Sequence, residues 1–87
     1  MERNEIIEKI RILLVENLEI KHLNSLNEKD RLYEDLNVDS IMVLQLMVYI
    51  EEAFTIVIPE EDVDPLAFQT VGSLVSFIQR MQGLTQE

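Results

Sequence analysis

The stretch "DLNVDSIMVLQLMVYIEEAF", residues 35–54, decides the fold of this 87-residue chain. Between Ile41 and Ile50 only Gln45 is clearly polar, so a helix there is apolar on almost every side. At about 100° per residue, Val43, Leu46, Met47, Ile50 and Phe54 fall in one narrow arc, the natural core face. Ile41, Leu44 and Val48 gather on nearly the opposite side, flanked by Gln45 and Glu52. A chain of this length hides only about 60–65% of the surface its unfolded form exposes, in one modest core. The second stripe therefore has little protein left to cover it. An apolar stripe rimmed by polar residues and left on the surface marks a contact site. The competing reading is that the long connection before the helix folds over it.

Outward from this helix, the rest of the chain reads as further helices. Ile6, Ile7, Ile10, Leu13, Leu14 and Leu18 recur at three- and four-residue spacing and predict a first helix over residues 4–19. A connection of about twenty residues follows, 20–39, a length uncommon inside a compact domain unless the loop is functional. Leu23, Leu26, Leu32, Leu36 and Val38 are placed to pin it across the core, with a helical turn expected at 30–35. The quoted stretch supplies the second helix, 40–54. The next four residues, TIVI, read locally as a strand, but no second strand-like segment exists to pair with them. They are expected to form an extended loop. Pro59 opens a short acidic turn, "PEEDVDP", closed at Asp64-Pro65 because the residue before proline is pushed out of helical geometry. Thr70 is the expected N-cap of a last helix striped by Val71, Leu74, Val75, Ile78 and Met81, and Gly83 its expected stop. The predicted fold class is all-α: a four-helix bundle of three longer helices and one short one, in a single domain spanning 1–87.

Composition narrows the function. Hydrophobic content of 47% is too high for a disordered tail. Without Cys there is no disulfide, no thiolate nucleophile and no Cys-based metal site. The N-terminus MERNEIIEKI lacks a signal-peptide pattern, and the longest apolar stretch falls well short of the ~20 residues that cross a bilayer. These features predict a cytoplasmic protein. The net charge is −10, and it is concentrated: between Leu32 and Gln79 lie nine acidic residues and no Lys or Arg. Such a field repels nucleic acid and anionic membranes and steers basic protein surfaces toward it. Neither nucleic acid nor membrane is an expected partner.

Asp39-Ser40 before an apolar helix most often means an N-cap. A nucleophilic serine needs a base within hydrogen-bond reach, and the only histidine, His22, lies in the connection with no partner pattern. Self-contained serine catalysis is therefore not expected. Asp35, Asn37 and Asp39 match the opening of a calcium-binding EF-hand loop, but its sixth position holds Ser40 instead of Gly and its twelfth Leu46 instead of Glu. Calcium is therefore rejected. A third possibility fits better. A helix N-terminus presents unbonded N–H groups and a positive dipole end, which favour a phosphate. A serine there, beside an apolar stripe, suits a covalently attached phosphate ester.

Three motifs carry a resemblance: Asp39-Ser40-Ile41, Glu51-Glu52-Ala53-Phe54, and Ile56-Val57-Ile58-Pro59-Glu60. Together with "TVGSLVSFI", they resemble the acyl and peptidyl carrier proteins over nearly the whole chain. The resemblance implies an acyl-carrier-protein-like four-helix bundle with 4′-phosphopantetheine on Ser40, installed by a phosphopantetheinyl transferase that Asp39 assists through a metal ion. The arm's thiol would hold an acyl group as a thioester, so the reactive sulfur that the chain lacks arrives with the cofactor. Ile41, Leu44, Gln45, Val48, Glu51 and Glu52 match positions that contact partners: the transferase, an adenylating acyl or aryl ligase, and a downstream synthetase or condensing enzyme. The chain would act in trans, as a monomer and not as an enzyme. Some positions depart from the fatty-acid carriers. Met42 and Gln45 replace common acids, and Asn37 and Thr55 stand where Gly is frequent. With "DVDPLAFQTVGSL", these departures are similar to free-standing aryl carriers of catecholate siderophore assembly, of the petrobactin type. D-alanyl, polyketide and fatty acyl carriers stay open as alternatives. So does a cofactor-free helical adaptor that binds a partner through Ile41, Leu44 and Val48.

Overall fold

Helix α1 (Arg3–Ile12) of the computed structural model opens with the Glu5 carboxylate accepting the Glu2 N–H at 3.3 Å. The structure describes residues 2–20, 23, 25–59, 61, 63 and 65–85. Ile6 and Ile10 are buried on one face of α1, as their spacing requires. Regular α geometry ends earlier than the predicted residue 19. The chain widens into a π-helical turn, Leu13–Asn17, and closes at Glu19 with φ 57°, where Ile20 N–H donates to Leu14 O at 2.9 Å. A left-handed residue commonly ends a helix, though usually a glycine. One turn of wider pitch leaves Leu14 in the core, so the apolar pattern alone does not register it.

Helix α2 (Ser40–Phe54) has the predicted bounds. Asp39 is its N-cap: the backbone is extended and Oδ1 accepts the Met42 N–H at 2.8 Å. Val43, Leu46, Ile50 and Phe54 are buried, while Met47 sits only half-buried at the edge of that face. The helix stops at Thr55, which is left-handed (φ 53°, ψ 51°) and donates its N–H to Glu51 O. The Glu51 carboxylate then accepts the Ile58 N–H at 2.7 Å, tying down residues 56–58, which form no regular secondary structure. Ile56 and Ile58 point into the core and Val57 out of it. Among the described residues the one isolated β-bridge pairs Arg31 with Thr70, and there is no strand.

The connection after α1 is pinned as predicted. Leu26, Leu32, Leu36 and Val38 are buried, and Leu23 packs against the core half-buried. The expected turn is closed by Asp35 N–H donating to Arg31 O at 2.9 Å. Three further backbone bonds lay the connection along the start of the last helix: Gly72 N–H to Glu28 O (2.9 Å), Val71 N–H to Asp30 O (2.8 Å) and Leu32 N–H to Gln69 O (3.1 Å). The approach is close because Gly72 has no Cβ; one added there would stand 3.0 Å from Glu28 O. Arg3 clamps the crossing. Its guanidinium donates to both Glu28 carboxylate oxygens (3.0 and 2.6 Å), to Gly72 O (3.1 Å), to Ser76 Oγ (3.1 Å) and to Gln79 Oε1 (3.0 Å). Hydrogen bonding to Arg3 holds the Glu28 carboxyl below its usual pKa.

The short fourth helix is a 3₁₀ turn, Pro65–Phe68, which places Ala67 and Phe68 in the core. Helix α3 (Val71–Thr85) is capped reciprocally: Ser73 N–H donates to Thr70 Oγ1 (3.0 Å) and Thr70 N–H to Ser73 Oγ (3.1 Å). Its stripe Val71, Leu74, Val75, Ile78 and Met81 is buried, as expected. Gly83 does not stop it. The helix runs through to Thr85, and no glycine among the described residues has positive φ. Glycine permits a left-handed stop but does not impose one, and inside a helix it costs only about 1 kcal/mol. Glu60, Asp62 and Asp64 of the predicted acidic turn, and His22, lie outside the described residues.

Two stability measurements follow. Leu46→Ala removes a fully buried side chain and should cost about 2–5 kcal/mol, whereas Leu44→Ala should stay within roughly 0.5 kcal/mol. Equal losses in urea unfolding would mean that both faces of α2 are buried. Thr55 is β-branched in a left-handed conformation that disfavours side chains by about 1–2 kcal/mol. Thr55→Gly should therefore raise the urea midpoint at unchanged m-value. A lower midpoint would show that Thr55 is unstrained.

Candidate attachment and docking site

Ser40 is the first residue of α2 and is exposed. The Asp-Ser pair does contain the cap, but the capping side chain is Asp39. The helix therefore does not need the Ser40 hydroxyl for its own start. The two residues divide the work: one carboxylate satisfies an orphan N–H, and the adjacent hydroxyl projects where the helix dipole is most positive.

The second apolar stripe runs along the helix from Ser40. Ile41 is 69% exposed, Leu44 63% and Val48 53%. The connection packs elsewhere and leaves these three uncovered. Gln45 and Glu52 flank them, both exposed. Glu51 differs from the other predicted contact residues: it is half-buried and its carboxylate is engaged by the Ile58 N–H, so its first task is to hold the chain after α2. From Ser40 to Ile50 the helix carries no charged side chain, so the face beside the serine is apolar, with Glu52 one turn beyond Val48.

Asp35 and Asp39, the two acids of the sequence "DLNVD", each hold a backbone N–H. Asp35 Oδ2 accepts the Arg31 N–H at 2.8 Å, and this bond, with the Arg31 side chain, lowers the Asp35 carboxyl pKa. Asp39 Oδ1 is taken by the helix. Among the described residues no group of three His, Asp or Glu side chains is placed to hold a metal ion, and no helix is long and apolar enough to cross a membrane.

Tyr33, Val57 and Leu66 are further exposed apolar side chains. The alternation of Ile56, Val57 and Ile58 carried the signal for Val57. Leu66 sits in a single 3₁₀ turn, too short for any periodicity to show which side faces out.

The chain is similar to known proteins in sequence and fold. A family model described as a phosphopantetheine attachment site matches residues 8–78. The acyl carrier protein AsbD of Bacillus anthracis is 43% identical over 84 residues, covering 97% of this chain and 92% of its own length. An acyl carrier protein of Borreliella burgdorferi is 37% identical over 83 residues, covering 95% of this chain and all of its own. The fold matches the crystal structure of an acyl carrier protein from Thermotoga maritima with a TM-score of 0.81 at 24% identity, over 97% of this chain and 94% of that one. The chain thus belongs to the phosphopantetheine-binding acyl carrier proteins, carriers rather than enzymes, which hold 4′-phosphopantetheine covalently on a serine.

Proposed function

We propose that Ser40 is the attachment serine and that the chain is a single carrier domain acting in trans in the cytoplasm as a monomer. The observation that carries the assignment is the exposed Ser40 at the first position of a 15-residue helix that another residue already caps. The other three serines suit the role less well. Ser73 Oγ donates to Ala67 O at 2.9 Å inside the α3 cap, Ser76 Oγ accepts from Arg3, and Ser25 lies in the connection away from any helix start. In the proposed modification, Ser40 Oγ attacks the pyrophosphate of coenzyme A. A phosphodiester forms, and adenosine 3′,5′-bisphosphate leaves. The arm supplies a thiol that holds an acyl group as a thioester. Asp39, adjacent to the reacting hydroxyl and exposed, assists the transferase through a metal ion that the transferase brings.

The finer reading is an aryl carrier, loaded with a dihydroxybenzoyl group by an adenylating ligase and unloaded by a synthetase. The resemblance of residues 62–74 to catecholate siderophore carriers supports it, as does the uncharged first part of α2. A partner that docks here meets Ile41, Leu44 and Val48 with apolar groups, Gln45 at the rim, and Glu52 with a basic side chain.

Incubation with coenzyme A and a promiscuous transferase should add one phosphopantetheine by intact mass. Ser40→Ala should abolish the addition and change stability by no more than about 0.5 kcal/mol, since Asp39 keeps the cap. Modification that persists in this variant sinks the assignment. A wild-type chain that never takes the arm points instead to the cofactor-free adaptor.

Val48→Asp should block loading by the cognate ligase at every salt concentration while the fold persists. Glu52→Lys should slow loading chiefly at low salt, because exposed charges are screened beyond about 8–10 Å at physiological ionic strength. The readout is the loading rate with 3,4-dihydroxybenzoate and its ligase, beside D-alanine and fatty acyl systems. Normal loading of Val48→Asp removes the stripe as the docking face. Loading by the fatty acyl system alone removes the aryl reading.

A further inference from the structure

Three of the four arginines face a carboxylate. Arg3 meets Glu28 at 2.6 Å, Arg11 is paired with Glu8, and Arg31 meets Glu34 at 2.7 Å. Arg80 is the exception. It is the one basic residue after Arg31, it is exposed, and among the described residues no carboxylate reaches it. Its guanidinium stands 5.3 Å from the centre of the Phe77 ring. That contact steadies the cation but supplies no oxygen to its five N–H donors.

Arg80 borders a hollow of about 320 Å³, lined also by Leu66, Ala67, Ser73, Ser76 and Phe77. Helical spacing builds one wall, since Ser73, Ser76, Phe77 and Arg80 recur three and four residues apart along α3. The 3₁₀ turn supplies the other, with Leu66 turned outward at 61% exposure. The two hydroxyls differ. Ser73 Oγ donates to Ala67 O at 2.9 Å, within the α3 cap. Ser76 Oγ accepts from Arg3 at 3.1 Å and keeps its own O–H to donate. The hollow therefore offers hydrogen-bond donors beside apolar surface, with no acid in its lining. The groove lined by Arg31, Tyr33, Glu34 and Leu66 differs, because its arginine is already matched by Glu34 in the same wall.

Donors without an acceptor select a carboxylate, and the guanidinium fork binds one through two parallel hydrogen bonds. The apolar wall asks that the acid come attached to an apolar group. A volume at the lower end of small-molecule sites has room for one or two side chains. The net charge of −10 repels a polyanion such as nucleic acid, whereas a single carboxylate brings little charge into that field. The site thus sets register after contact; it does not steer encounter.

We propose that this side of α3 is a second docking surface, and that its occupant is a partner-protein segment with an Asp or Glu beside an apolar residue. The carboxylate takes the Arg80 fork and the Ser76 O–H, and the apolar side chain lies against Leu66. The surface shares no residue with the Ile41, Leu44 and Val48 stripe. A partner held at α3 therefore leaves Ser40 and that stripe open to another enzyme. Nothing in the proposal depends on Ser40 being the attachment point.

The full chain is titrated with the peptide acetyl-Leu-Glu-Leu-amide and with its Gln counterpart, and followed by proton–nitrogen correlation spectra. The Phe77 and Arg80 amides and the Arg80 Nε–H should shift with the acidic peptide, which should bind about tenfold more tightly than the Gln form. Arg80→Gln should remove that difference, Arg80→Lys should keep part of it, and Arg31→Gln should leave it unchanged. No shift at Phe77 and Arg80 with the acidic peptide overturns the surface. Equal affinity for the two peptides, or an undiminished difference in Arg80→Gln, overturns carboxylate recognition by Arg80. Isovalerate that binds as tightly as the acidic peptide makes this a site for free small acids and overturns the protein partner.

Discussion

Three backbone hydrogen bonds between residues 28–32 and 69–72 are the constraint on which the rest of this fold depends. They commit a long irregular connection to one path, along the start of α3, and that path decides what it covers. With the connection spent there, Leu26, Leu32, Leu36 and Val38 fill the core from one side. The outer face of α2 stays exposed at Ile41, Leu44 and Val48. The close approach requires Gly72, and the Arg3 guanidinium spans α1, the connection and α3 at the same place. Each exposed ionic contact there contributes little alone. Their effect is to choose one arrangement of three segments.

The consequence is a helix with two environments. The inner face of α2 carries Val43, Leu46, Ile50 and Phe54 into the core, and the outer face shows Ile41, Leu44 and Val48 to solvent. An apolar face left in water beside an exposed serine at a helix start is the observation on which the proposed attachment and docking rest. Asp39 makes the arrangement possible by capping the helix and releasing the serine. Glu51 closes the other end by catching the Ile58 amide, so a residue that looks like a surface charge is a structural pin. Family membership makes the chain a carrier whose chemistry arrives with its cofactor.

Much of this was legible in the sequence because helices announce themselves by period. The bounds of α2, the stripe of α3, the Thr70 cap and the pinned leucines all follow from spacing and capping chemistry that act within a few residues. Asn37 and Thr55 stand where glycine is frequent in the family, and both have positive φ. The misreadings share a cause. The π turn at Leu13–Asn17 and the passage of α3 through Gly83 are choices between backbone states of similar energy, and a side-chain pattern does not rank them.

The sequence by itself determined that this chain is helical, that α2 is apolar on two sides and that Asp39-Ser40 opens it. Those properties are local, set by periodicity over one element. The tertiary structure alone decided which apolar side remains in water and that Tyr33 and Leu66 face one groove. Each of those outcomes depends on where residues 28–32 cross residues 69–72, a contact between segments some forty residues apart. No local pattern encodes it, because its energy exists only once the chain has closed on itself.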